Sequence, residues 1–161
     1  MASILGIVRD WLGCVAGALG YGLVKAASTI AGGGEPRRLA DQTKAIMSEF
    51  FPELDLNEVV LRTGASIVPR RFRAMTLGRT IFLRGDLDEC SAEDMLLLVH
   101  ELVHVDQFRR LGELKFACAY GEGFLRTFSH DNIPLEREAT AFQHAHETRL
   151  RYLVLEALTL R

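Results

Sequence analysis

Residues Ser91 to Gly112 read SAEDMLLLVHELVHVDQFRRLG, and the fold turns on reading this stretch as one buried helix. Ser91 stands where an N-cap accepts backbone N–H groups, and Asp94, three residues on, holds the capping-box position. Glu93 and Asp94 place negative charge in the first turn, where the helix dipole favours it. Met95 to Val99 are apolar, and Leu102, Val103, Val105 and Phe108 continue that character. A helix apolar on most sides is expected inside a domain. Arg109 and Arg110, with Gly112 after Leu111, form a stop signal. Within this helix lies His100-Glu101-Leu102-Val103-His104, an HExxH motif. Positions i and i+4 share one helix face. Both imidazoles can therefore reach one metal ion, and Glu101 can act as general base toward a metal-bound water. Buried polar groups need partners, and a metal supplies one.

Working outward, Ile133-Pro134-Leu135-Glu136-Arg137-Glu138-Ala139-Thr140 opens a second helix, with Pro134 suited to its first position. A catalytic zinc wants three protein ligands and one open position, and His₂Glu is one of the standard sets. Helical register leaves both Glu136 and Glu138 as third-ligand candidates. Upstream, Arg73 to Leu83 reads as a β-hairpin turning at Gly78. Its edge either holds an extended peptide beside the metal by β-augmentation or is purely structural. Arg70, Arg71, Arg73, Arg79 and Arg84 make this region basic. They form a solvated face or a recognition surface for an acidic substrate or partner. Arg37–Phe50 is expected as an amphipathic helix, Asn57–Arg62 as a short strand and Glu113–Phe128 as a helix bent near Gly121 and Gly123. A long final helix is expected from Pro134 to about Leu160. Tyr120 and His130, between the ligands in sequence, are candidate hydrogen-bond donors to a developing oxyanion. His144 and His146 lie too far along the final helix to share a metal with Glu136.

The chain resembles the gluzincins, the HExxH zinc metallopeptidases whose third ligand is a Glu on a later helix. In thermolysin-like and CAAX-prenyl-protease-like members that Glu begins an E-x-x-x-D pattern, and Glu136-Arg137-Glu138-Ala139-Thr140 matches it with Glu136 as ligand. The pair HELVHVDQ (His100–Gln107) and Pro134-Leu135-Glu136-Arg137-Glu138-Ala139 is similar to a small bacterial metallopeptidase domain, in some cases linked to contractile injection systems. The resemblance spans about Ser66 to Ala145. It implies Zn²⁺ held by His100, His104 and Glu136, Glu101 as catalytic base, and a peptide or protein substrate. Thr140 departs from the pattern, which places Asp there to orient a ligand histidine. Such partners change metal affinity or activity by ~10–100-fold. Asp106 and Glu138 are the candidates to replace it, and Glu138 is also the fallback ligand.

The resulting fold class is α+β: a minimal zincin-like domain, mostly helical, with a small antiparallel sheet or hairpin on the HExxH helix and a long C-terminal helix. The 161 residues divide into an apolar, glycine-rich segment with its linker (1–34) and the metallopeptidase-like domain (35–161). A net charge of −2 gives no reason to expect nucleic acid. Cys14, Cys90 and Cys118 are widely spaced with no CxxC, which argues against a disulfide framework and points to a reducing compartment. From Ala2 to Gly34 only Arg9, Asp10 and Lys25 are charged, and Gly13 and Gly17 form GxxxG. Residues 2–31 are read as a helix packed on the domain or a partner helix, as a membrane contact, or as a cleaved signal. The corresponding localisations are cytoplasmic, membrane-associated or secreted. Two non-enzymatic readings stand beside the peptidase: a catalytically silent zinc module that organises structure or docks a partner, and a metal-free interaction domain.

Overall fold

The computed structural model describes residues 4–159. In chain order these form α1 (Ile4–Ala31), α2 (Asp41–Ser48), β1 (Val60–Arg62), β2 (Ala74–Leu77), β3 (Thr80–Leu83), α3 (Ala92–Thr127), a 3₁₀ turn (His130–Asn132) and α4 (Pro134–Thr159). The class is α+β, as expected. The Arg73–Leu83 hairpin forms with Gly78 in its turn, pairing Thr76 with Ile81 and Leu77 with Thr80. The sheet is mixed, however, because β1 adds to β3 in parallel and gives the order β1-β3-β2. This leaves β2 as an edge strand facing α3.

The principal core lies where α3 crosses the sheet and α4. Leu61, Ile81, Met95, Val99, Leu102 and Leu150 are all inaccessible to solvent there. Each side chain of this size contributes about 1.5–3 kcal/mol on burial. Ser91 caps α3 as its position implied, accepting from Asp94 N–H at 3.3 Å. The capping box does not close. Asp94 instead accepts from Asp88 N–H at 2.9 Å and from Arg73 at 2.5 Å, tying the start of α3 to the loop and to the hairpin. α2 starts later than its periodicity suggests. Arg37 forms an isolated bridge with Leu61, and Ala40 N–H donates to Glu89, which also accepts from Thr43 and Arg37. A carboxylate remote in sequence thus satisfies this helix start.

The stop signal at Gly112 acts as a joint rather than an end. Gly112 has φ 75° and ψ 162°, a region open to glycine, and the helix resumes at 113 in a new direction. The second segment (113–127) packs along α1. Gly13 and Gly17 of α1 meet Ala117, Gly121 and Glu122 so closely that a Cβ on Gly121 would collide with the backbone of α1. The glycine at 121, expected to bend its helix, permits this crossing. Ion pairs pin both ends, Asp10 to Arg126 at 2.7 Å and Lys25 to Glu113 at 2.6 Å, which makes the two helices antiparallel. A disulfide joins Cys14 to Cys118 across the same crossing. The expectation of no disulfide is therefore corrected: the two cysteines are separated by 104 residues and meet only because small residues let the helices touch.

α1 is also long and apolar enough, by length and composition, to cross a membrane. Leu5, Leu12 and Leu19 are exposed on its outer side. Of the segment 2–31, Ala2 and Ser3 lie outside the described residues.

The crossing predicts a contrast between glycines. Gly121→Leu lowers stability by about 1–3 kcal/mol, read as an earlier midpoint in urea. Gly22→Ala has open space around the new methyl. It is neutral or stabilises by up to about 1 kcal/mol through helix propensity. Equal midpoints for Gly121→Leu and the wild type contradict the crossing.

Candidate metal centre

His100 and His104 project from the first segment of α3, one turn apart. Glu136 meets them from the first turn of α4. The chain returns to them by way of the Gly112 joint, the segment 113–127 and a reversal in which Phe128 adopts φ 50°. The start of α4 seats against Gly123, where an added Cβ would meet Pro134 and Ile133. His100 Nε2, His104 Nε2 and Glu136 Oε2 form a near-equilateral triangle of 3.2, 3.2 and 3.3 Å. They form a group able to hold a metal ion. His104 and Glu136 are only 6% and 5% exposed, while the His100 side chain keeps 19%.

The surrounding side chains determine which atoms face the triangle. Gln107, wholly buried, donates from Nε2 to the Leu135 carbonyl at 3.0 Å. A carbonyl only accepts, so the amide nitrogen must face Leu135 and the amide oxygen must face His104. His104 Nδ1–H then donates to Gln107 Oε1 at 2.8 Å, which leaves Nε2 toward the other two ligands. Leu135 immediately precedes Glu136, so one amide positions both a histidine and the backbone that carries the carboxylate. On the far side of Glu136, Tyr120 Oη–H donates to Oε1 at 3.0 Å and His130 Nε2 lies 3.1 Å from the same oxygen. These contacts occupy Oε1 and present Oε2 to the histidines. Burial and then the charge of Glu136 push the Tyr120 hydroxyl well above its usual range, so it stays a donor.

Burial opposes charge on both His104 and Glu136, but their contact outweighs it. His104 is pushed up to about 9 by its hydrogen bond to Glu136 and by the nearby carboxylates. Glu136 is held far below the carboxylate range by His100, His104 and His130. Glu101, 5% exposed, is held from β2, where Thr76 Oγ1–H donates to its Oε2 at 2.7 Å. A cleft of about 750 Å³ opens over the triangle. Glu101, all four residues of β2, Tyr120 and His130 line it, and Tyr21 of α1 contributes to one wall.

Three residues weighed in the sequence sit elsewhere. Glu138 accepts from Arg110 at 2.6 Å and from Gln107 Nε2 at 3.2 Å, and is not among the grouped ligands. Asp106 pairs with Arg109 and Arg110. Thr140 is exposed on α4. The orienting partner assigned to position 140 is supplied by Gln107, through a chain that runs on to Glu138, Arg110 and Asp106. Thr76 and Gln107 carried no separate signal beyond their places in the hairpin and the helix. His146 Nδ1–H donates to the Phe142 carbonyl at 2.9 Å and stacks on the Phe142 ring, remote from the triangle.

Gln107→Leu is expected to weaken zinc binding by roughly 10–100-fold, measured by competition with a chromophoric chelator on protein whose helix content by circular dichroism matches the wild type. An unchanged affinity removes Gln107 from the site. Zinc must also displace the proton on His104, so affinity rises with pH until about 9 and falls below it. Calorimetry at pH 7 in buffers of different ionisation enthalpy should detect proton release on binding.

Residues 38–112 match the model of the family described as the eCIS core domain, where eCIS denotes an extracellular contractile injection system. No curated protein and no solved structure matches the chain. The matched stretch begins just before α2, includes the sheet and the HExxH segment of α3, and ends at the Gly112 joint; α1 and α4, with Glu136, lie outside it. The match makes residues 38–112 similar to that family's domain, and by its geometry the chain carries a group of three side chains able to hold a metal.

Proposed function

We propose that the chain is a zinc-dependent peptidase. The observation that carries this reading is the ligand triangle with edges of 3.2–3.3 Å beneath a cleft that Glu101 also lines. Tetrahedral coordination at Zn–N and Zn–O distances of ~2.0–2.1 Å requires ligand–ligand edges of about 3.3–3.4 Å. The donor set His₂Glu, with Nε2 of each imidazole directed inward, fits that ion without rearrangement. Zinc bound there supplies a Lewis acid for the scissile carbonyl and a water of lowered pKa.

The remaining chemistry belongs to the chain itself. Glu101 takes a proton from the attacking water and delivers it to the leaving amine. Thr76 holds Glu101 Oε2, which fixes the carboxylate without neutralising it. Tyr120 and His130 act as positioning residues by holding Glu136 Oε1; as expected oxyanion donors they would have to exchange that contact for the substrate. The edge of β2 offers backbone groups to an extended peptide.

A second reading rests on the family match: a catalytically silent metal module that docks a partner in an injection assembly. The match covers the HExxH helix without Glu136. Two variants test the pair of readings. Glu101→Gln should retain one zinc per chain by elemental analysis and lose about 10²–10⁴-fold of peptide turnover. His100→Ala should lose the metal. Undiminished turnover in Glu101→Gln sinks the peptidase. Zinc-loaded wild type that cuts no peptide in a diverse library, yet binds an injection-assembly subunit, supports the second reading.

A further inference from the structure

The arginines of the hairpin region are not dispersed over a surface. Arg70, Arg71, Arg73 and Arg84 line a second cleft of about 290 Å³, and Asp86 is its one carboxylate. This cleft shares Arg71, Phe72, Arg73 and Leu97 with the lining of the cleft over the metal triangle, so the two are adjacent. The chain as a whole carries a net charge of −2, and the concentration of positive charge here is local. Elsewhere arginines meet carboxylates, as Arg37 does with Glu89, Arg110 with Glu138 and Arg126 with Asp10.

Among the described residues, only Arg73 of the cleft has such a partner, Asp94. Arg84 Nη1–H donates to the Val68 carbonyl at 3.0 Å, which fixes its side chain while leaving its charge unneutralised. Arg70 and Arg71 have no carboxylate partner among the described residues. The Arg71 guanidinium lies over the Phe72 ring, 4.6 Å from the centroid. Stacking of this kind orders the planar group and leaves its edge N–H donors for a bidentate acceptor.

The distance along β2 gives the position a register. Thr76 contacts Glu101, and Arg73 precedes it by three residues. At about 3.3 Å per residue this is about 10 Å, or three residues of an extended peptide lying along the strand. Resting on the peptidase reading, we propose that the arginine-lined cleft is a subsite for an acidic side chain of the bound peptide, about three residues from the bond presented to Glu101. The substrate class is then acidic peptide segments. A carboxylate there gains charge-assisted hydrogen bonds from Arg70 and Arg71 that an amide isostere does not.

The test is binding, so it does not depend on turnover. Full-length, zinc-loaded Glu101→Gln protein is titrated into fluorescein-labelled decapeptide pools with Glu, Gln or Lys fixed at one position and read by anisotropy. The Glu pool is expected to bind about tenfold or more tighter than the Gln pool, with the Lys pool weaker still. Arg70→Ala/Arg71→Ala, at exposed positions, should abolish the difference. The charge-reversed Arg70→Glu/Arg71→Glu should favour the Lys pool. Equal binding of the Glu and Gln pools overturns the subsite, as does a preference that survives both double variants or the absence of binding by every pool. Cleavage by wild type without an acidic preference leaves the peptidase standing and the subsite refuted. An acidic preference without cleavage does the reverse.

Discussion

A carboxylate is held almost out of solvent between two imidazoles, and the rest of the structure is arranged to make that placement tolerable. Isolated, a buried charge of this kind is among the most costly groups a small domain can contain. Here Glu136 has four polar neighbours: His100 and His104 on one oxygen, Tyr120 and His130 on the other. Three of the four belong to α3, and the fourth to the 3₁₀ turn before α4. The chain must therefore double back with its register intact. The Gly112 joint, the close seat of Pro134 on Gly123 and the Gln107 amide bonded to Leu135 each contribute to that return.

Much of this was legible from residue patterns, for reasons that differ by element. The HExxH helix was readable because its signals are local: a cap at Ser91, acids in the first turn, apolar residues through the body. The hairpin was readable because Gly78 and the β-branched residues after it are also local. Pro134 marked the start of α4 and so drew Glu136 into range of the histidines. What could not be read were relations between distant segments. Nothing near Ala40 announces that Glu89 satisfies its N–H, and nothing near Val60 says that β1 will align parallel to β3. The pairing of Cys14 with Cys118 depends on a helix crossing that exists only in three dimensions.

The orienting partner of His104 illustrates the same limit inside the site. A pattern taken from other metal helices directs attention to position 140, one turn beyond Glu136. In this chain Thr140 faces solvent, and the function passes to Gln107, one turn beyond His104 itself. An amide suits that position better than a carboxylate would, because it can also donate to the Leu135 carbonyl. Its use of both ends depends on α4 arriving alongside, which is a tertiary fact. Thr76 is similar: in sequence it is one more β-former, and only the approach of β2 to α3 gives its hydroxyl the Glu101 carboxylate.

The joint at Gly112 has a mechanical consequence. Two ligands stand before it and the third arrives only after it, so an ion gripping all three closes a ring of chain that includes the bend. The three ligand atoms already lie 3.2–3.3 Å apart, so an ion held there would brace the angle between the two helix segments. α1 lies along the second segment, fastened to it by Asp10 and Lys25. The ion would thus brace the same joint that carries a long apolar helix, whose Tyr21 already forms part of the wall above the triangle.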